Sequence, residues 1–156
     1  MPSDTNDQGE AAATVMGKPV RIVCAATPEG VRAALATAHR ATRGLNLGPA
    51  AWQNIEIVLA EVMNNIVEHA YAGRNDASIE VSFVAAPGKL DCVTRDSGNA
   101  MPDGRAPEGI LRPLSDKLEE LPEGGFGWYL IRQLTERMEY RRVDDRNELN
   151  FSIPLN

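Results

Sequence analysis

The first candidate for chemistry is a set of four polar residues on one face of a predicted helix. Glu61, Asn64, Asn65 and Glu68 follow one another at spacings of three, one and three residues, so they share that face. A solvated surface explains many such faces, but two adjacent asparagines in mid-helix are poor helix formers that a surface does not require. An amide oxygen and a carboxylate one turn apart can serve a hydrated Mg²⁺ ion and a nearby acceptor hydroxyl.

The other two candidates combine an aspartate or a helix start with glycine. Asp96 follows a predicted strand and precedes Ser97-Gly98, so its carboxylate can accept a hydrogen bond from an exocyclic amine such as that of adenine, or simply form a turn. Gly124-Gly125-Phe126-Gly127 opens a predicted helix. There, backbone amides and the helix dipole can meet a phosphate, although a flexible hinge would use the same residues. Neither a Walker A loop nor a Rossmann fingerprint fits this stretch.

Length, composition and charge limit the classes of protein to which this chain can belong. The chain has 156 residues, 43% of them apolar and 24% charged, and a formal charge of -6. This length predicts one domain with a self-sufficient core, and the acidic balance disfavours binding to nucleic acid. We expect a cytoplasmic protein, because we find neither a membrane-length apolar run nor a signal peptide. Cys24 and Cys92 are predicted to be reduced core residues.

Hydrophobic periodicity predicts the elements that position the candidate residues. Strands are predicted over about 20–24, 79–85, 90–94, 138–143 and 148–154, with a turn at 144–147. Helices are predicted over about 28–43 and 50–71, and a third begins near Gly125. Residues 1–17 are predicted to be a disordered tail, and residues 18–156 the domain. The stretch rich in proline and glycine over about 97–124 is predicted to be a lid or binding loop.

The resulting order of elements is β, α, α, β, β, lid, α, β, β. Strands joined as hairpins cannot all be parallel, so a doubly wound fold is excluded. The predicted fold class is an α+β two-layer sandwich, in which three amphipathic helices cover one face of a mixed, mostly antiparallel sheet.

Taken together, the three candidates have a specific order along the chain. In sequence they are the helix carrying Glu61 and Asn65, then Asp96-Ser97-Gly98 after a strand, then the lid, then Gly124-Gly125-Phe126-Gly127. In this order the sequence resembles the Bergerat-fold, or histidine-kinase-like, ATPase superfamily. Within it, the chain is most similar to the small anti-sigma factor/serine protein kinases of bacterial partner-switching systems.

The resemblance implies a role for each matched residue. Asn65 would be the Mg²⁺ ligand, and Glu61 would orient or deprotonate the attacking hydroxyl. Asp96 would accept from the adenine amino group, with Gly98 allowing a close approach. The phosphates of ATP would lie by three glycines, Gly124, Gly125 and Gly127. The chain departs from many superfamily members at Ala100, where they have a second glycine, and we expect altered packing of the lid there.

The resemblance also implies an activity and partners. The chain would be an ATP- and Mg²⁺-dependent serine/threonine kinase that phosphorylates a small antagonist protein and, as an anti-sigma factor, sequesters a sigma factor. Two alternatives remain: a module of the same fold that binds ATP without transferring phosphate, and an interaction domain that has lost nucleotide. Family members commonly form homodimers, and the Ala-rich first helix either contributes a contact surface or packs on the sheet.

The two histidines are predicted to have structural roles. A phosphoacceptor role for His39 is disfavoured, because the chain has no second long helix pair to form a dimeric acceptor bundle and Arg40 follows the histidine. His69 lies two turns beyond Glu61 on the same predicted helix, where it would form hydrogen bonds at the edge of the site.

Overall fold

The computed structural model describes residues 18–74, 76–110 and 125–155. The chain order is β1 (Val20–Ala25), α1 (Pro28–Ala41), α2 (Pro49–Asn65), β2 (Ser78–Ala86), β3 (Lys89–Asp96), α3 (Gly125–Leu134), β4 (Glu136–Val143) and β5 (Arg146–Pro154). This order and the predicted two-layer fold class are confirmed. The predicted tail, Gly124 and residues 111–123 of the predicted lid lie outside the described residues.

The five strands form one sheet in the order β1-β2-β3-β5-β4. Every pairing between described strands is antiparallel. The predicted sheet was mixed and mostly antiparallel, so the observed sheet is the fully antiparallel form of it. The turn between β4 and β5 consists of Asp144 and Asp145, both at positive φ (51° and 63°), as a two-residue hairpin of the favoured twist requires. The predicted turn at 144–147 is therefore two residues too long, and Asn147 belongs to β5.

One face of the sheet is buried under the helices. Alternate residues of β2, β3 and β5 point to this side, as the period of two predicts. From α1, Ala34 and Ala38 enter the core, so part of its Ala-rich face packs inward, whereas Ala33 and Ala36 are exposed. The largest fully buried apolar side chains are Phe83, Ile55, Leu59, Met63, Ile79, Leu90, Ile131 and Ile153.

The opposite face of the sheet carries charge. Side chains of alternating sign face one another across all five strands, and adjacent members are 2.9 to 3.2 Å apart (Arg21, Glu80, Arg95, Glu148 and Arg141). Both cysteines are free, and burial raises the pKa of the Cys92 thiol. Within the described ranges, no helix has the length and apolar character needed to cross a bilayer.

The end of α2 changes its winding beside the candidate residues. The predicted helix to residue 71 is α-helical only to Asn65 and continues as a π-helical segment, Ile66–Ala70. The Tyr71 hydroxyl then donates to Ser78 O (2.7 Å) and accepts from Ser97 N (2.8 Å). These bonds fix the helix end against β2 and against the chain leaving β3. Short π-helical segments are frequent at functional sites.

Candidate functional site

A cavity of about 430 Å³ lies between the end of α2, the first turns of α3 and the chain that follows β3. Asn65 and Asp96 both line it, together with Trp128 and Asn147. Its volume lies within the usual range for small-molecule sites, which are largely apolar with a few placed polar groups. The structure thus brings together two residues that are 31 positions apart in the sequence and that were predicted to share a site.

Asp96 is the buried acceptor of this cavity. It ends β3 and is only 6% exposed. Its Oδ1 accepts hydrogen bonds from Gly98 N (2.9 Å) and from Asn147 Nδ2 (2.8 Å). Burial raises the pKa of Asp96, and the two hydrogen bonds and the positive charge of Arg142 offset part of that rise. A carboxylate in this setting is a strong acceptor for a single ligand donor.

Gly98 is required by a close approach between two backbone segments. A Cβ atom on Gly98 would lie 2.5 Å from both C and O of Ala70, and the neighbouring Asn99 N donates to the same Ala70 O (2.6 Å). The chain after Asp96 therefore packs directly on the end of the π-helical segment. In this structure, the close contact of Gly98 is with the protein itself.

We expect Gly98→Ala to lower the free energy of unfolding by about 2–3 kcal/mol, because two backbone segments must separate to admit the methyl group. Urea denaturation measures this loss. Gly48→Ala is the matched control, since a Cβ there would meet nothing within 4 Å, and a change below about 1 kcal/mol is expected. Equal stability of the two variants would contradict the close approach.

A second cavity of about 340 Å³ adjoins the first, and Glu61 and Gly127 line it. Asn65, His69 and Trp128 border both cavities. A Cβ on Gly127 would lie 2.5 Å from Glu61 Oε2, so the first turn of α3 lies directly against this carboxylate. The predicted Glu61 and Asn65 thus lie at one place with Gly127 of the first turn of α3.

The Trp128 indole occupies one lone pair of the Asn65 amide oxygen. Its indole Nε1 donates to Asn65 Oδ1 at 3.2 Å, and the side chain is 5% exposed. An amide oxygen has two lone pairs, so one remains for a cation. The described residues contain no group of three or more His, Cys, Asp or Glu suited to a metal ion. Asn65 nevertheless fits Mg²⁺, which commonly takes one or two protein oxygens together with phosphates and water.

The described part of the predicted lid is fastened to α3. Arg132 donates from Nε to Pro107 O (2.9 Å) and from an Nη atom to Ala106 O (3.2 Å). Gly109, at φ +68°, packs so closely on Trp128 that a Cβ would lie 2.5 Å from the Trp128 carbonyl oxygen. This segment therefore forms one wall of the larger cavity.

Two residues of the site, Trp128 and Asn147, were not singled out by the sequence analysis. Asn147 had a signal, because it continues backward the alternation of Leu149, Phe151 and Ile153. Trp128 had none beyond its place in an amphipathic helix. Of the histidines, His69 lies at the rim with its side chain 56% exposed, and His39 stacks on Trp52 with ring centroids 4.3 Å apart.

Comparison with known families decides what kind of domain holds this site. Residues 24–153 match the family model described as the histidine kinase-like ATPase domain. The chain belongs to this family. The match extends from β1 to β5 and so includes both cavities and every element that lines them.

Curated relatives are similar over part of the chain. "Serine-protein kinase RsbW" of Bacillus pumilus is 29% identical over 91 residues, which are 56% of each chain. The protein of the same name from Halalkalibacterium halodurans is 30% identical over 57% of this chain and 54% of its own. "Serine/threonine-protein kinase BtrW" of Bordetella bronchiseptica is 28% identical over 59% and 63%. The chain spans about half the length of the RsbW relatives it matches.

A solved structure supports the same fold. The crystal structure of the RsbU and RsbW domains of Rv1364c from Mycobacterium tuberculosis superposes with a TM-score of 0.60 at 16% identity. The superposition covers 88% of this chain and 32% of that chain. At this identity the likeness shows the fold alone.

Proposed function

We infer that this chain binds Mg²⁺ and ATP across the two adjoining cavities and transfers the terminal phosphoryl group to a serine or threonine hydroxyl of a partner protein. One observation carries the inference: Asn65 borders both the cavity of Asp96 and the cavity of Glu61 and Gly127. A ligand with an amine-bearing base at one end and phosphates at the other suits this pair of cavities. The family and the serine-protein kinase relatives support the same activity.

Each residue has a defined part in the proposed reaction. Asp96 accepts from the adenine amino group, while the amides of Gly124, Gly125 and Gly127 and the positive end of the α3 dipole receive the phosphates. Glu61 accepts the proton of the attacking hydroxyl. Mg²⁺ held by Asn65 would neutralise charge on the phosphate oxygens, which is how phosphoryl transfer is mainly accelerated. Residues 97–124 would act as the lid over ATP.

The partners follow from the family resemblance rather than from the site. We propose that the phosphorylated substrate is a small antagonist protein and that the chain, as an anti-sigma factor, sequesters a sigma factor once the antagonist is released. A sigma factor as partner would place the chain in the cytoplasm. ATP and ADP would favour different complexes through differential affinity, and a homodimer would present two such surfaces.

Capture from the source cell tests this proposal most broadly. The full chain is used as bait with and without Mg²⁺ and ATP, and any small protein that co-purifies is mapped for phosphoserine and phosphothreonine. Phosphate on that protein only when ATP is present supports the kinase. Calorimetric binding of ATP without any transfer would instead favour a module that binds ATP without transferring phosphate. No heat at millimolar ATP would favour an interaction domain that has lost nucleotide.

Trp128→Phe tests the part of Asn65 in metal binding. The phenyl ring keeps most of the packing but removes the N–H donor, so both lone pairs of Asn65 Oδ1 become free. We expect the Kd for ATP in the presence of Mg²⁺ to fall by up to about fivefold, and the free energy of unfolding to fall by about 1 kcal/mol. Calorimetry and urea denaturation measure the two effects. A Kd that rises tenfold would contradict this competition between the indole and the metal ion for Asn65 Oδ1.

A further inference from the structure

Asn147 is the most highly connected polar side chain beside the larger cavity. It is 5% exposed. Its Nδ2 donates to Asp96 Oδ1 (2.8 Å) and to the carbonyl oxygen of Asn99 (2.9 Å). Its Oδ1 accepts from the Tyr140 hydroxyl (2.5 Å) and from an Nη atom of Arg142 (2.8 Å). Because two donors hold the oxygen and two acceptors hold the nitrogen, the amide has one orientation, with its donor toward Asp96.

Among the described residues, this orientation leaves one oxygen of Asp96 without a hydrogen-bond donor. Asp96 Oδ1 accepts from both Gly98 N and Asn147 Nδ2, which uses its two lone pairs. Both hydrogen bonds that the described residues give to the carboxylate thus end on Oδ1. No buried side-chain nitrogen or oxygen among the described residues lacks a partner, so Oδ2 is not sealed in the protein. Oδ2 is the acceptor left for a ligand in the cavity.

The two purine bases differ in what they require of such an acceptor. Adenine has an exocyclic amine at C6, where guanine has a carbonyl oxygen. Guanine instead presents its ring N–H and its 2-amino group side by side, and a carboxylate binds this pair best through both oxygens. A carboxylate with one free oxygen can accept the one hydrogen bond that the adenine amine donates. The same carboxylate can pair with only one of the two guanine donors, and leaving the other donor buried and unpaired is costly.

We propose that Asn147 makes the base pocket selective for adenine over guanine by occupying Asp96 Oδ1. Asn147 is thus a specificity-determining residue that acts through Asp96. This inference rests on the proposed function, because it requires a purine nucleotide in the larger cavity. It goes beyond that function by naming the residue that excludes GTP.

Calorimetric Kd values for ATP and GTP, each with Mg²⁺, test the proposal on the full chain. We expect the Kd of the wild type for GTP to exceed its Kd for ATP by at least about 100-fold, because one donor of guanine would be left unpaired in the pocket. Asn147→Ala frees one of the two lone pairs of Asp96 Oδ1, while Gly98 N keeps the other, and the preference should fall to below about tenfold. Asn150→Ala is the matched control, since Asn150 lies on the same strand but donates to Glu148 (3.0 Å). It should keep the wild-type preference.

Base analogues test the same point on the wild type, so the proposal stays testable even if Asn147→Ala does not fold. The 2-amino derivative of ATP keeps the 6-amine and should bind like ATP. Inosine triphosphate lacks both the 6-amine and the 2-amino group, so its ring N–H is the single donor at this edge and it should bind more tightly than GTP. Equal affinity of the wild type for ATP and GTP, or an unchanged preference in folded Asn147→Ala, would overturn the inference while leaving nucleotide binding intact. Binding of neither nucleotide would overturn the proposed function together with it.

Discussion

Asp96→Asn should weaken binding of ATP by at least about 100-fold, because the site would present an amide donor to the amine donor of adenine. The oxygen of the introduced amide can still accept from Gly98 N and Asn147 Nδ2. Its NH₂ group then stands where Asp96 Oδ2 stood and repels the base. Calorimetry with Mg²⁺ and ATP measures the loss. Asp91→Asn is the matched control, because Asp91 lies on the same strand but bonds Ser152 on the opposite face of the sheet.

The same variant should be at least as stable as the wild type at neutral pH. Burial raises the pKa of Asp96 in the folded chain above its unfolded value, so the folded chain binds this proton more tightly. The contribution of Asp96 to stability therefore falls as the pH rises from the unfolded pKa through the folded pKa. We expect the Tm of Asp96→Asn to exceed that of the wild type at neutral pH and the difference to shrink on acidification. A wild-type advantage at neutral pH would contradict this.

The second large effect concerns transfer rather than binding. Glu61→Gln should lower the rate of phosphoryl transfer to a cognate antagonist by about 10²–10⁴-fold, because the amide cannot accept the hydroxyl proton. The Kd for ATP should stay within a few-fold, since Glu61 does not line the proposed base cavity and its proposed partner is the attacking hydroxyl of the substrate rather than the nucleotide. Incorporation of labelled phosphate and calorimetry measure the two quantities separately.

Glu56→Gln is the control for this variant. Glu56 is an exposed glutamate of the same helix that lines neither cavity, so both quantities should match the wild type. If Glu61→Gln incorporates phosphate at the wild-type rate, Glu61 has no part in the reaction. If the wild type binds ATP but phosphorylates no antagonist, a module that binds ATP without transferring phosphate is the better account.

Much of the fold could be predicted because its signals are local. The strands alternate with a period of two, and Thr27-Pro28 is a local signature of a helix start. In the structure the Thr27 hydroxyl oxygen caps α1 by accepting from Gly30 N at 2.9 Å. Asp96 and Gly98 could be selected because a strand end followed by glycine is a local pattern. The length of the turn between β4 and β5 was overestimated by two residues. Positive φ is uncommon for residues other than glycine, so a two-residue turn of two aspartates was not expected.

What the sequence does not reveal depends on contacts between distant elements. Asn147 can donate to Asp96 only because β5 pairs with β3, which places the two residues opposite each other. Trp128 reaches Asn65 only because α3 packs across α2. The π-helical segment after Asn65 is likewise accompanied by tertiary bonds, from Asn99 to Ala70 and from Tyr71 to Ser78. Periodicity along a single helix carries none of this information.

A crystal structure of the full chain with Mg²⁺ and a non-hydrolysable ATP analogue tests the central claim most directly. The account predicts the adenine amino group at Asp96 Oδ2, the metal ion on Asn65 Oδ1, and the terminal phosphate between Glu61 and the start of α3. A nucleotide bound elsewhere, for instance in the open groove of about 920 Å³ on the charged face of the sheet, would contradict it.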